Sequence, residues 1–183
     1  MASPVIEGGA EWLVLAYQLS PKQTSVRVAV RRRLSAAGAV YLSPACAVAP
    51  LSGPAERAMR RARATITTAG GFAVLLAAHA LAGRPDLTQA FNAVRDSEYM
   101  GIVADCSEAM ACIETLTAVR EFRYQVLWEK DIRLRRLSAR YQVVRDHDLY
   151  GARQGQAAVS ALAAYRSVLD QYASRVYAAD SRS

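Results

Sequence analysis

The hydrophobic pattern of this 183-residue chain changes period at Arg84-Pro85. Ahead of that point short β-forming runs alternate with helical repeats, and behind it no strand pattern recurs. Such a switch confines the chain to an α+β architecture in two unequal parts, a sheet-bearing unit and a helical half.

Trp12-Leu-Val-Leu-Ala-Tyr17 is a β-forming run, and the Leu19-Ser-Pro-Lys-Gln stretch behind it breaks a strand and offers helix caps. From Gln23 to Ala37 the apolar residues Val26, Val30, Leu34 and Ala37 recur at helical spacing, with Gly38 placed for a left-handed C-terminal cap. Ala39-Val-Tyr-Leu42 and Cys46-Ala-Val-Ala49, joined by Ser43-Pro44-Ala45, predict a hairpin. A second helix is predicted after Pro54 with Met59, Ala62, Ile66 and Ala69 inward, stopping at Gly70-Gly71, and Phe72-Ala-Val-Leu-Leu-Ala77 supplies a fourth strand. The order βαββαβ predicts a ferredoxin-like unit, two helices over one face of a four-stranded antiparallel sheet.

Beyond Pro85, Asp86 can cap a helix whose apolar positions are Phe91, Val94, Ile102, Cys106, Ile113 and Leu116. A continuous helix onward to Asp148 would run on the order of 90 Å at 1.5 Å per residue, which a compact fold rarely holds, so a break is expected between Thr117 and Tyr124. The next helix carries Leu127, Leu134, Leu137, Tyr141 and Val144, with Glu129-Arg133 and Asp131-Arg135 as surface pairs, and is expected to end at Gly151. Val159, Leu162, Tyr165, Leu169, Tyr172 and Val176 define a last amphipathic helix. The expected organisation is a flexible tail over residues 1–11, a ferredoxin-like domain over 12–84, and a helical region of about three long helices over 85–183, packed on that domain or extending from it.

With 52% apolar residues the chain can bury a core without disulfides. Cys46, Cys106 and Cys112 fit no zinc spacing, and Cys106 and Cys112, six apart on one helix, are too far apart to bridge, so all three are expected as packing residues. The N-terminus lacks an export pattern, and the longest apolar stretch, Phe72 to Ala82, falls short of the roughly 20 residues a bilayer requires. A cytoplasmic location without membrane contact is the expectation.

Charge is distributed unevenly. Through Arg84, ten Lys or Arg stand against the three acids Glu7, Glu11 and Glu56, so the entire net charge of +7 falls there; beyond it thirteen bases meet thirteen acids. At 100° per residue, Arg57, Arg60 and Arg61 project opposite Met59, Ala62 and Ile66, and Arg32, flanked by Arg27, Arg31 and Arg33, lies far from the apolar face of the first helix. With Arg63, these arginines are the candidate site for nucleic acid or an oxyanion, since guanidinium forks bind phosphates by charge and paired hydrogen bonds. The competing reading is a solvated charged face, some of whose arginines pair with acids of the helical half. Few aromatics interleave, which argues against a single-strand stacking platform.

Catalytic patterns are missing: the chain has no Gly-rich phosphate loop, serine elbow, HExxH or CxxC. His79 sits in an apolar run and reads as a core or strand-end residue. His147, within Arg145-Asp-His-Asp148, could join Asp146 and Asp148 around a metal, but a solvated helix terminus is the favoured role. No enzyme, no metal and no cofactor are expected.

Three segments carry a resemblance. Trp12 to Tyr17 with Gly38-Ala-Val-Tyr-Leu-Ser-Pro-Ala-Cys-Ala-Val-Ala-Pro50, then Phe91-Asn-Ala-Val-Arg-Asp-Ser-Glu-Tyr99, then Arg145-Asp-His-Asp-Leu-Tyr-Gly-Ala152 resemble the N-terminal domain of the bacterial chromate-resistance regulators called ChrB. The resemblance implies a transcriptional regulator whose repression of a chromate-efflux operon is relieved by chromate, and whose N-terminal domain is implicated in binding double-stranded operator DNA. It also implies a second, C-terminal domain. A homodimer is the expected assembly; the alternative is an oligomerising or oxyanion-sensing module without direct DNA contact. The sheet unit is similar, more distantly, to part of the PaaX-type repressors and to CRISPR adaptation nucleases, but the metal-holding aspartate those nucleases place after the first strand has no counterpart in Tyr17-Gln-Leu-Ser-Pro.

Overall fold

A computed structural model describes residues 11–180; apart from Glu11, the expected tail lies outside the described residues. The chain is α+β, with five helices and one four-stranded antiparallel sheet among the described residues. It divides into two compact units, residues 1–90 and 91–183.

In the first unit the order is β1 (Trp12–Gln18), α1 (Thr24–Ser35), β2 (Val40–Ser43), β3 (Cys46–Pro50), α2 (Gly53–Thr68) and β4 (Phe72–Ala78). Both central strands are flanked, in the order β2-β3-β1-β4, and every neighbouring pair is antiparallel. Strand alternation sends Leu13, Leu15 and Tyr17 of β1 to one face, where they meet Val30 and Leu34 of α1 and Ala55, Met59, Ala62 and Ile66 of α2 in a single core. Burying each of the larger side chains is worth about 2 kcal/mol.

Local chemistry sets the ends of these helices. Ser52 caps α2 through a bond from the Ala55 amide to its hydroxyl (3.3 Å), and Pro54 and Glu56 suit the first turn. The C-terminal side of α1 closes on Gly38 at φ 78°, the left-handed position expected for it. At the α2–β4 junction a β-carbon on Gly71 would stand 2.7 Å from the Gln18 carbonyl oxygen, so only glycine lets β4 turn in beside β1.

The second unit holds most of α3 (Arg84–Ala118), with α4 (Tyr124–Asp146) and α5 (Gly155–Asp180). Asp86 lies in the first turn of α3, where its charge suits the positive end of the helix, rather than at the cap. The break falls within the expected window, and Arg120 takes the left-handed conformation there at φ 56°. The helices alternate in direction: Glu108 and Asp105 on α3 pair with Arg133 and Arg140 on α4 (2.7 and 2.8 Å), and partners to residues read forward along α3 run backward along α4. Likewise the Tyr165 hydroxyl of α5 donates to the Lys130 carbonyl and that of Tyr172 to the Glu121 carbonyl.

Four expectations are corrected here. The helix α4 ends at Asp146, with His147 as its cap, and Gly151 lies in the loop beyond. Arg133 does not pair with Glu129: Glu108 and Asp105 of the facing helix draw it across, and Glu129 accepts from Gln125 instead (3.0 Å). Val159 is exposed and Ala158 takes the inward place in the core of the helical unit. Cys112 is exposed rather than packed, its sulfur 2.9 Å from the Lys130 ammonium; Cys106 is buried and Cys46 half-buried.

Candidate nucleic-acid interface

The two helices that cover the sheet carry eight arginines and one acid, Glu56. They lie side by side and are tied together by the Arg33 guanidinium, which donates to the Thr65 hydroxyl at 2.9 Å. Arg31, Arg32, Arg33, Arg57, Arg60, Arg61 and Arg63 are exposed and Arg27 is half-buried. The difference follows from helix phase: Arg27 sits three residues before the buried Val30, so its stem follows the inward face.

What each head touches matters more than its exposure. Arg27 donates to the Leu19 and Ser20 carbonyls (3.3 and 3.2 Å) and fastens the loop between β1 and α1. Arg31 lies over the Tyr41 ring, 5.0 Å from its centre. Arg63 donates to the Ala73 carbonyl of β4 at 3.2 Å. Among the described residues only Arg60 meets a carboxylate, that of Glu56, at 2.6 Å. Arg32, Arg57 and Arg61 reach solvent with no partner among the described residues. Carbonyls, a hydroxyl and a ring orient a guanidinium without cancelling its charge, so among the described residues seven of the eight positive charges on this layer meet no carboxylate.

A second cluster joins two of the sequence segments singled out above. On α3, Phe91, Arg95 and Tyr99 follow at intervals of four and all three are buried, Arg95 at 2% exposure. The Phe91 ring packs on that of Tyr150 (5.7 Å between centres), and the Asn92 amide donates to the Tyr150 carbonyl at 3.4 Å. Asp96 accepts the Gln154 amide at 2.8 Å, and Asp148 accepts both the Ala152 amide at 2.9 Å and the Tyr99 hydroxyl at 3.2 Å. Burial first, and the Asp148 charge second, push the Tyr99 phenol up to about 12, so it remains a donor at neutral pH. The residues 91–99 thus hold the loop between α4 and α5 closed.

Arg95 is the tense point of this cluster. Its Nε lies 3.1 Å from Glu98 Oε2, but the two are out of line, and Nε, Nη1 and that oxygen make no hydrogen bond. Burial pushes the Glu98 carboxyl up, against the pull of Arg95 and Arg140, and it pushes the His147 imidazole down, with the Arg95 charge adding to the effect. His147 is half-buried at the end of α4, not a solvated terminus, and among the described residues no three His, Cys, Asp or Glu side chains gather as a metal site. His79 falls just past the end of β4. Reasoning from charge passed over Arg95, although its spacing from Phe91 and Tyr99 was the available signal.

A helix-covered antiparallel sheet with a basic helical layer, followed by a helical unit closed by its own polar latch, defines an α+β protein; no described helix is long and apolar enough to cross a membrane. The chain belongs to the family described as Protein ChrB, N-terminal, whose model matches residues 27–183. It is therefore a domain related to the chromate-resistance regulators. No curated protein and no solved structure matches the chain.

Proposed function

We propose that this chain is the DNA-contacting part of a chromate-responsive transcriptional regulator, cytoplasmic and homodimeric, which meets the phosphates of duplex operator DNA through the outer faces of α1 and α2. The sheet unit is read as ferredoxin-like, serving as the rigid base of that surface. The observation that carries the reading is the arginine layer: eight guanidinium groups against one carboxylate, with neutral partners for Arg27, Arg31, Arg33 and Arg63. Arg32, Arg57 and Arg61 are the heads free to take phosphates, while Arg27, Arg31, Arg33 and Arg63 supply field and fix the helices. The free heads are spread over two helices, Arg32 on α1 and Arg57 and Arg61 a turn apart on α2, a distribution that suits an extended polyanion. No catalytic step is assigned.

Fluorescence anisotropy with a labelled duplex tests this. Each phosphate contact contributes about −0.9 to the slope of log K against log salt. Replacing Arg32, Arg57 and Arg61 together by Ala should weaken binding at every salt concentration and flatten that slope by about 2 to 3. Absence of binding at low salt, or an unchanged slope in the triple variant, refutes the reading. Titration calorimetry with chromate against sulfate separates the oxyanion-sensing alternative, because a duplex surface barely distinguishes the two ions.

A further inference from the structure

The outer edge of the sheet is the feature that the arginine surface leaves unexplained. The edge strand β2 is defended: it has four residues and its register with β3 slips between Tyr41 and Ser43. The opposite edge, β4, has seven residues, Phe-Ala-Val-Leu-Leu-Ala-Ala, in unbroken register with β1. It carries no charge, no proline and no bulge, the devices that keep a free edge from pairing. Phe72 is 66% exposed and Leu76 50%.

The bonding phase of the strand follows from its neighbours. The Tyr17 amide donates to the Ala45 carbonyl (2.9 Å), so the odd positions of β1 bond towards β3 and the even ones towards β4. By the register Trp12↔Ala78, Val14↔Leu76, Ala16↔Val74 and Gln18↔Phe72, the backbone groups of Ala73, Leu75 and Ala77 face away from the sheet. The bond that Arg63 gives to the Ala73 carbonyl fits this phase. Beside the edge, a groove of about 500 Å³ is lined by Leu51, Leu75 and Leu76 and rimmed by Glu56, Arg60 and Arg63.

We propose that β4 is a dimerisation edge, on which a second copy of this chain adds its own β4 antiparallel about a twofold at Leu75. In that register Ala73 faces Ala77 of the second copy and Leu75 faces its equivalent, each pair exchanging both backbone bonds. On the other face of the strand the large Phe72 meets the small Ala78, and Val74 meets Leu76, so every cross-strand pair is apolar. The charges obey the same twofold. Arg63 stands level with Ala73; Glu56, seven residues earlier on a helix running opposite to β4, lies roughly 10 Å away at 1.5 Å per residue, close to the level of Ala77 about 13 Å along the strand. The twofold therefore sets Glu56 of one copy against Arg63 of the other, twice, and Arg63 leaves the Ala73 carbonyl to the incoming strand. One continuous sheet results, with both arginine layers on the same side.

Mass decides the matter independently of DNA binding. Sedimentation equilibrium of the full chain at micromolar concentration should give twice the 19.9 kDa of the monomer. The double variant V74K/L76K, which sets lysines against lysines across the twofold, should run as a monomer with unchanged helical circular dichroism. E56R and R63E should each raise the dimer dissociation constant about tenfold, and an equimolar mixture of the two should recover it as a heterodimer. A monomeric wild type, a dimer that survives V74K/L76K, or two weakened variants whose mixture fails to recover would each overturn the proposal.

Discussion

Replacing Glu98 should destabilise the helical unit more than replacing its partner Arg95, although the arginine is the more buried of the two. Arg95 is 2% exposed and the Glu98 side chain 35%. Breaking a buried ion pair by removing one partner costs about 3–5 kcal/mol, because the survivor is stranded. In Glu98→Gln the survivor is a guanidinium, a group that does not lose its proton in proteins, and Arg95 already has two nitrogens without a hydrogen bond. A cost of about 3 kcal/mol is expected. In Arg95→Met the survivor is a partly exposed carboxyl whose pKa burial has already raised, so it can turn to water or take a proton. The methionine fills the volume, and the net loss should be about 1 kcal/mol. Urea unfolding of both variants and of the double variant, with the slopes against denaturant checked for equality, measures this. An Arg95→Met loss larger than that of Glu98→Gln would show that Arg95 is held by something other than Glu98, and the stranded-charge argument would be wrong.

Two further outcomes follow from local geometry and charge. Arg120 closes α3 in a Schellman arrangement, with the Glu121 amide on the Leu116 carbonyl (2.9 Å) and its own amide on that of Thr117 (3.1 Å); Arg120→Gly should relieve the left-handed strain and stabilise the chain by about 0.5–1 kcal/mol in the same urea assay. Because His147 binds its proton less readily when folded than at its ordinary 6.5, the unfolded state takes up protons first, and stability should fall as pH drops from about 7.5 to 5.5. The raised Glu98 carboxyl works in the opposite sense, gaining stability as pH falls, so the difference between wild type and His147→Gln isolates the imidazole; an identical pH dependence in both would refute its burial beside Arg95.

The fold was legible because its signals were local. Alternation in Trp12–Tyr17, the three-four spacing of Val26, Val30 and Leu34, the Pro54 start and the glycines at 38, 70 and 71 each report on a few neighbouring residues, and tertiary packing agreed with them. The errors arose where a choice depended on a distant partner. Arg133 had an acid four residues away and took two others from the facing helix, which spacing along α4 cannot reveal. Val159 and Ala158 sit next to each other on α5, and which of them turns inward depends on the packing of the whole helix in its core, which the larger apolar side chain does not decide.

The candidate site shows the same limit in sharper form. Sequence placed the arginines on the outer faces of α1 and α2, and composition showed that few acids stood near them. It could not show which heads the fold itself employs: Arg27 on a loop, Arg31 on a ring, Arg33 on the neighbouring helix and Arg63 on a strand edge. Had acids held these four, the surface would be a neutral scaffold; held by carbonyls, a hydroxyl and a ring, they are ordered and still charged. A guanidinium fixed in place loses less freedom when a phosphate arrives. If the layer binds duplex DNA as proposed, its structural and binding roles reinforce each other, and replacing Arg33 or Arg63 should disturb packing and affinity together, whereas Arg32, Arg57 and Arg61 should report on affinity alone.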